Sequence, residues 1–178
     1  MLQDLLRRTL QSSDRHQVTL AEEMRFVNQY LELEKVRFLD RMSVEETIAP
    51  DTLSAIVPAF LLQPIVENAV IHGVASTGLH GRVHISAARE KNHLTITVQD
   101  NGPGLFDTPQ PKYRKRDGIG LKITRERLAY MFGNDQHLSI ENAATGGVQV
   151  RITIPFQQVG TRDGLPATSP AVQNEGRT

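Results

Sequence analysis

The chain contains no cysteine, so it can form neither a disulfide nor a zinc site with thiolate ligands. It has no apolar run that approaches the roughly 20 residues needed for a membrane-spanning helix, and no apolar segment near its start indicates a secretory signal. An excess of charge is missing too, because 20 basic residues balance 20 acidic ones. We therefore expect this chain to be soluble, and its charge gives no reason to expect a nucleic-acid partner.

The 178 residues, of which 39% are hydrophobic, are enough for one globular domain with appendages. Leucines recur at helical spacing between Leu2 and Leu10, which predicts an amphipathic helix. Thr19 followed by Glu22 has the form of a capping box, so a second helix is predicted to begin near Thr19. These two helices either pack on the domain or contact a partner, and the residues alone leave both possibilities open.

The rest of the pattern mixes strands and helices. Apolar residues alternate over residues 83–87 and again over 94–98, which predicts a hairpin with one buried face. Further predicted elements are a strand over 44–48, a helix over 60–71, a helix over 121–132 ended by Gly133, and a strand over 148–154. We therefore expect an α+β two-layer sandwich, in which a mixed, mostly antiparallel sheet carries helices on one face, plus an N-terminal helical segment.

Composition divides the chain into three predicted parts. Residues 1–40 form the helical segment, and residues 41–156 form the α+β domain. Residues 157–178 are polar and rich in Gly, Pro, Ser and Thr, and this composition predicts a disordered tail.

Three polar residues interrupt the apolar segment Pro64-Ile-Val-Glu-Asn-Ala-Val-Ile-His-Gly73, namely Glu67, Asn68 and His72. Asn68 and His72 are four residues apart and share one face of the predicted helix. An asparagine oxygen suits magnesium, and a histidine one turn further on could meet a phosphate. The commoner explanation of such residues is a satisfied polar group at a helix end.

The stretch Asp100-Asn-Gly102-Pro-Gly104 comes directly after a predicted strand. A tight turn explains it simply. A base-recognition site is the alternative, because the carboxylate can accept a hydrogen bond from an amino group and glycine lets a flat ring approach the backbone.

The stretch Asp117-Gly118-Ile-Gly120-Leu121 opens a predicted helix. Glycines at a helix N-terminus expose backbone N–H groups at the positive end of the helix dipole, where a phosphate binds well. A single Gly-x-Gly is a weak signal.

The three stretches in this order resemble the N-box and the two glycine boxes of the GHKL ATPases, which include gyrase, MutL and histidine kinases. Longer segments narrow the match to the LytS-type sensor histidine kinases: Tyr30-Leu-Glu-Leu-Glu-Lys-Val-Arg-Phe38, Leu61-Leu-Gln-Pro-Ile-Val-Glu-Asn-Ala69 and Gly118-Ile-Gly-Leu-Lys-Ile-Thr-Arg-Glu-Arg-Leu128. The opening Leu2–Leu10 stretch looks like the second helix of that family's dimerisation hairpin. The resemblance implies the GHKL (Bergerat) ATP-binding fold.

The resemblance also implies roles for individual residues. Glu67 would be the polar or general-base residue beside the γ-phosphate of ATP, Asn68 would bind Mg²⁺, and His72 would contact a phosphate. Asp100 would accept a hydrogen bond from the adenine amino group. The other implied nucleotide-binding positions line the base pocket or lie at the phosphates: Gly102, Gly104, Gly118, Gly120 and Leu121.

One position departs from the family pattern, and one segment has two possible interpretations. The family usually has a threonine after the glycine that precedes the last strand, and here that position is Val148, so a hydroxyl expected near the adenine is missing. Residues 105–117 carry four basic residues. They form either a solvated charged loop or, as the flanking glycine boxes favour, a short lid over the triphosphate.

The phosphorylated histidine of the LytS-type kinases lies in a Pro-His-Phe-Leu-Phe-Asn stretch, and no such stretch occurs here. His16 follows the first predicted helix and is a poor substitute. We therefore expect the chain to be a fragment that begins just after the acceptor helix. The parent is expected to be a homodimer anchored in the bacterial inner membrane, with this domain in the cytoplasm.

The function implied by the resemblance is transfer of the ATP γ-phosphoryl group to a histidine and then to a response regulator. The implied partners are ATP, the parent's own dimerisation and histidine domain, and that regulator. One alternative is a module that binds nucleotide without catalysis, which Val148 favours. Another is a GHKL protein-serine kinase of the anti-sigma type, against which the N-terminal helices argue.

Overall fold

The computed structural model describes residues 17–76, 80–105 and 119–158. Several predictions fall outside these ranges, among them the Leu2–Leu10 helix, the environment of His16, Gly118, the basic residues between the glycine boxes and the tail beyond residue 158. No helix among the described residues is long and apolar enough to cross a membrane.

A five-stranded sheet forms one layer of the domain. Its spatial order is β2 (Met42–Ile48), β4 (Gly81–Glu90), β5 (His93–Asp100), β7 (Val148–Pro155) and β6 (His137–Asn142). The pair β2–β4 is parallel, and the other three pairs are antiparallel. The sheet is therefore mixed and mostly antiparallel, as predicted.

The central hairpin shows why these segments form strands. Along β5 every second residue is buried, from Leu94 through Ile96 and Val98 to Asp100. The intervening threonines face the other side of the sheet, because successive side chains of a strand point to opposite faces. The two strands are joined at Lys91, which adopts a φ of 54°. The hairpin therefore has one apolar face, which must be covered by other elements, here helices, to be kept from water.

Three helices supply that cover: α1 (Leu20–Phe38), α2 (Gln63–Asn68) and α3 (Ile119–Phe132). They bury apolar side chains such as Leu31 of α1, Ile65 of α2 and Leu128 of α3 in one core with the sheet. These layers confirm the predicted α+β sandwich.

The predicted capping box is present at the start of α1. Thr19 Oγ1 accepts a hydrogen bond from the Glu22 backbone N–H at 3.2 Å, and a Glu22 carboxylate oxygen accepts one from the Thr19 N–H at 2.8 Å. These bonds satisfy N–H groups that have no partner within the helix.

A second, small sheet was not predicted. It pairs β1 (Gln17–Thr19) with β3 (Ile56–Pro58) in antiparallel fashion. On the other side of β3, the Ile56 N–H donates to the Gln157 carbonyl at 2.7 Å, and Ala55 forms a bridge with Gln158. The segment that leads into α1 and the segment that follows β7 thus flank the same strand.

The helix predicted over residues 60–71 differs from the observed one at both ends. It begins at Gln63, because Phe60 has a φ of 59°, which no helical residue adopts. After Asn68 it widens into a π-helical turn, Ala69–Gly73. Such turns are frequent at functional sites.

Candidate functional site

Three segments far apart in sequence meet around Asp100 at the end of β5. One is the π turn after α2, which contributes Gly73. The others are the loop after β5, with Gly102, and the start of β7, with Gly147. A methyl group added at Gly73 would lie 2.5 Å from Cγ of Asp100, and one at Gly102 would lie 2.5 Å from the Gly73 Cα. Side chains at these positions would prevent the segments from closing on the carboxylate.

The carboxylate of Asp100 is held by backbone groups. Its Oδ1 accepts hydrogen bonds from the N–H groups of Gly102 at 2.8 Å and of Val148 at 3.2 Å. Among the described residues, no hydrogen bond reaches its Oδ2. Burial raises the pKa of Asp100, while these two N–H groups and the nearby His72 act to lower it.

The start of β7 packs against this strand end through glycine. Gly147 has a φ of 84°, and a methyl group there would collide with the backbone carbonyl of Asp100. The neighbouring Gly146 has a φ of 91° but no other atom within 4 Å of where its methyl would lie. Of these two glycines, only Gly147 is therefore required to be small for packing as well as for its conformation.

Two asparagines, neither predicted as a site residue, shape the loop after β5. The Asn101 side chain accepts from the Arg82 N–H at 2.6 Å and donates to the His80 carbonyl at 3.0 Å, which fixes the loop to the start of β4. Asn142 accepts from the Leu105 N–H at 2.8 Å. This contact anchors the segment on which the predicted lid begins.

The predicted residues on α2 occupy different environments. Glu67 is half-buried and accepts a hydrogen bond from Gln63 at 2.8 Å. Asn68 is half-buried, and its side chain forms no hydrogen bond to another described residue. His72 is exposed and lies close enough to Asp100 to act on its pKa. His72 therefore lies near the end of β5, and the Asn68 amide has no hydrogen-bond partner among the described residues.

The start of α3 lies against α2. A methyl group at Gly120 would lie 2.9 Å from Cβ of Pro64, so this glycine allows the two helices to approach closely. Leu121 is half-buried and packs on the core. Gly118 lies outside the described residues, so of this glycine box the structure places only Gly120, against Pro64.

The arrangement suits a flat, amino-bearing ring. One oxygen of the largely buried Asp100 carboxylate is open to a donor, and glycine backbone lies around the carboxylate. The described residues contain no group of three or more His, Asp or Glu that could hold a metal by itself. A magnesium ion would fit only with ligands from nucleotide phosphates and water in addition to Asn68, which is the usual way Mg²⁺ is bound.

Sequence reasoning missed Gly73, Gly147, Asn101 and Asn142. Gly73 ends the N-box stretch, and Gly147 belongs to a Gly-Gly pair just before a strand. The Gly-Gly pair could have predicted Gly147, because adjacent glycines before a strand indicate that another backbone segment approaches closely.

Comparison with known families defines the class. The family described as histidine kinase-, DNA gyrase B-, and HSP90-like ATPase matches residues 58–158, more than half of the chain. The chain therefore belongs to this ATPase family. A second family, described as histidine kinase, matches residues 1–42.

The relatives narrow the class to sensor histidine kinases. Sensor histidine kinase BtsS of Escherichia coli K12 is 39% identical over 140 residues, which cover 79% of this chain and 24% of BtsS. Sensor protein LytS of Staphylococcus saprophyticus is 30% identical over 171 residues, which cover 89% of this chain and 28% of LytS. The resemblance to LytS-type kinases is confirmed, and the chain spans about a quarter of these relatives.

Solved structures share the fold. The catalytic domain of histidine kinase ThkA superimposes with a TM-score of 0.59 at 19% identity, covering 80% of this chain and 97% of that domain. The mycobacterial sensor histidine kinase MprB gives a TM-score of 0.53 at 19% identity, with 80% and 97% covered. The GHKL fold is therefore confirmed.

Proposed function

We propose that this domain binds ATP with Mg²⁺, and that its parent transfers the γ-phosphoryl group to a histidine and from there to a response regulator. The observation that carries the proposal is the Asp100 carboxylate, which uses one oxygen for two backbone N–H groups and leaves the other to a ligand. That geometry favours an acceptor for the adenine amino group. Guanine would present a carbonyl oxygen at the same place.

In this proposal the remaining residues serve the phosphates. Asn68 supplies one oxygen ligand to magnesium, and its lack of a hydrogen bond within the described chain supports that role. His72, exposed beside Asp100, contacts a phosphate. Glu67 is the polar or general-base residue near the γ-phosphate. Gly118, Gly120 and Leu121 lie at the phosphates, where the start of α3 offers backbone N–H groups.

The chemistry needs little from the protein beyond position and charge. A Mg²⁺ ion, which Asn68 would help to hold, would supply positive charge against the negative charge that develops in phosphoryl transfer. The chain's own residues orient the base, hold the phosphates at the start of α3 and exclude water from the base. The acceptor imidazole is proposed to come from the parent's histidine domain.

The partners follow from the relatives. ThkA has been solved in a complex with the response regulator TrrA, and this chain matches that kinase with a TM-score of 0.57 at 20% identity, covering 88% of this chain. We propose a response regulator as partner here too, with the parent acting as a homodimer anchored in the bacterial inner membrane. The three parts 1–40, 41–156 and 157–178 remain our proposed domain division.

The decisive experiment measures nucleotide binding and transfer separately. Calorimetric titration should give binding of Mg-ATP and much weaker binding of Mg-GTP, whereas equal affinities would remove Asp100 from its role. Incubation with γ-labelled ATP should leave no acid-labile label on this chain and should label a supplied histidine-bearing helix. Label that appears on the chain and vanishes in His16→Gln would mean that His16 is the acceptor.

A nucleotide-binding module without catalysis is the second candidate. It is favoured by Val148, which has no hydroxyl where the resembling family has one, although the Val148 N–H does reach Asp100 at 3.2 Å. Binding of Mg-ATP with no transfer to any supplied histidine helix would support it. An anti-sigma type serine kinase is disfavoured, because residues 1–42 match the histidine kinase family.

A further inference from the structure

Helix α1 carries a glutamate on its buried face, three residues after Leu20 and four before Val27. Glu23 is 3% exposed, and its carboxylate reaches the segment just before α2. One oxygen accepts from the Phe60 N–H at 2.6 Å and the other from the Leu62 N–H at 3.1 Å. Both carboxylate oxygens are therefore used by backbone groups of another element.

These bonds fix the segment that leads into α2. Both donors lie just before the helix, which begins at Gln63 and has no side-chain cap. The N–H groups of Ile65 and Val66 in the first turn donate to the Leu62 carbonyl at 3.0 and 2.9 Å, so Leu62 links the Glu23 carboxylate to the start of α2. A negative charge near a helix start is also favoured by the helix dipole. Glu23 also holds Phe60 in its positive φ, which directs two N–H groups at one carboxylate.

An arginine holds the same segment from the opposite side. Arg127 of α3 donates to the Ala59 carbonyl at 2.8 Å, and its guanidinium carbon lies 5.8 Å from the centre of the Phe60 ring. Burial raises the pKa of Glu23, whereas the N–H groups of residues 60–62 and the charge of Arg127 lower it. Residues 59–62 thus lie between an anion on α1 and a cation on α3.

We propose that Glu23 and Arg127 are positioning residues for nucleotide binding: by fixing residues 59–62 they set the position of α2, which carries Glu67 and Asn68. The inference rests on the proposed function for the role of α2. It makes α1 a determinant of the pocket although none of the predicted site residues lies on α1. Residues that served only stability would strengthen the fold and leave nucleotide affinity unchanged.

Glu23→Gln tests the proposal, because an amide offers one acceptor oxygen and turns an NH₂ donor towards the other backbone N–H. Glu32→Gln is the matched control, since Glu32 lies exposed on the same helix and, among the described residues, pairs only with Lys35 at 2.7 Å. Both variants are compared with the parent chain by Mg-ATP calorimetry at a temperature where each is fully folded. Amide hydrogen exchange is measured over residues 63–73 and over β5, without nucleotide.

Glu23→Gln should weaken Mg-ATP binding about tenfold, the usual effect of leaving a buried donor unpaired. It should also speed exchange over residues 63–73 relative to β5, while Glu32→Gln changes neither. A lower unfolding temperature with unchanged affinity and uniform exchange would overturn the proposal. Failure of the parent chain to bind ATP would overturn the proposed function instead, and the exchange result would still decide whether Glu23 positions α2.

A conservative variant guards against loss of folding. Glu23→Asp keeps the charge and withdraws it by one methylene, so it should give an intermediate loss of affinity. Arg127→Lys keeps the positive charge but loses the planar fork that reaches Ala59, and it should act in the same direction. If both fold and bind Mg-ATP like the parent chain, residues 59–62 are fixed by other contacts and the proposal fails.

Discussion

Asp100 and Glu23 are the buried carboxylates of the described residues, and they are used differently. Both accept two backbone hydrogen bonds, and burial raises the pKa of both. Glu23 distributes its bonds over two oxygens, whereas Asp100 accepts both on Oδ1. The first carboxylate is saturated by the fold, and the second keeps an acceptor for a ligand.

The surroundings reinforce the difference. Glu23 is buried in the core, and backbone N–H groups together with the charge of Arg127 lower its pKa, although burial raises it more. Asp100 is enclosed by glycines, which leave backbone and open space in place of side chains. Because the second oxygen of Asp100 is not fully buried, it stays accessible to a donor from outside the chain. The number of carboxylate oxygens bonded within the fold thus distinguishes the two residues. Glu23 uses both oxygens and is structural, whereas Asp100 uses one and is the candidate for recognition.

The largest expected effect comes from breaking the glycine enclosure of Asp100. Gly147→Ala should lower the free energy of unfolding by roughly 2–5 kcal/mol, because it combines an unfavourable φ with a collision against the Asp100 backbone. Gly146→Ala has a similar φ without the collision and should lower it by only about 1–2 kcal/mol. Urea unfolding of both variants measures the difference, and equal losses would show that packing at Gly147 is unimportant.

The next effect concerns the unused oxygen of Asp100. Asp100→Asn can still accept the two N–H groups on Oδ1, but its NH₂ would face the adenine amino group. Mg-ATP affinity should fall by about 10- to 150-fold, equivalent to roughly 1.5–3 kcal/mol, and the preference should shift towards GTP. Asp135→Asn, on the surface, is the control. Unchanged ATP affinity in Asp100→Asn would assign base recognition elsewhere.

Stability of the same variant sharpens the contrast. Because the pKa of Asp100 is raised above 3.8, the folded chain holds this proton more tightly than the unfolded chain does. The contribution of Asp100 to the free energy of unfolding therefore decreases as the pH rises through that raised pKa. At neutral pH, where Asp100 is ionised, this carboxylate lowers the stability of the fold. Asp100→Asn should then unfold at neutral pH no more easily than the parent chain, although it has lost nucleotide affinity.

A smaller effect is expected at Asn68. Asn68→Ala should weaken the magnesium-dependent part of ATP binding about tenfold or more, since even outer-shell partners of a metal commonly contribute that much. The fold should be retained, because this half-buried side chain makes no hydrogen bond within the described chain. Titrations with Mg²⁺ and with EDTA, beside the exposed control Asn134→Ala, measure it. A variant that unfolds would make Asn68 a structural residue.

The smallest effect is a gain. Val148→Thr restores the hydroxyl of the resembling family next to Asp100, and one added hydrogen bond should raise ATP affinity about two- to tenfold. Val148→Ala removes the methyl groups without adding a hydroxyl and is the control. If ATP affinity does not rise in Val148→Thr, or changes equally in both variants, the hydroxyl is not needed beside the Val148 N–H that already bonds Asp100.

The sequence predicted those elements whose formation depends on the spacing of neighbouring residues. Alternation identified β4, β5 and β7, and the capping box located the start of α1. The strands β1 and β3 have only three residues each, too few to show alternation, and they form because they pair with each other. The same limit explains why the small sheet was not predicted.

Tertiary contacts decided the rest. The start of α2 was placed three residues early because the backbone of Phe60 is fixed by Glu23, 37 positions away. Asp100 was identified from its motif, but the meeting of Gly73, Gly102 and Gly147 around it depends on how the strands and the π turn pack. Glu23 lies three residues after Leu20 and four before Val27, on the apolar face of α1, but its spacing does not show which backbone groups it bonds.

The small sheet gives the described fold a ring-like connectivity. Gln17 pairs beside Pro58, and Gln158 pairs beside Ala55 on the other flank of β3, so one short strand separates these two points. A linker of a few residues could join Gln158 directly to Gln17, because closing a short loop costs little entropy. New chain ends could then be placed in the exposed turn after Lys91, and all strand pairings of the sheet would be kept. For an engineer, this domain is a candidate for circular permutation, or for carrying an inserted reporter at that turn.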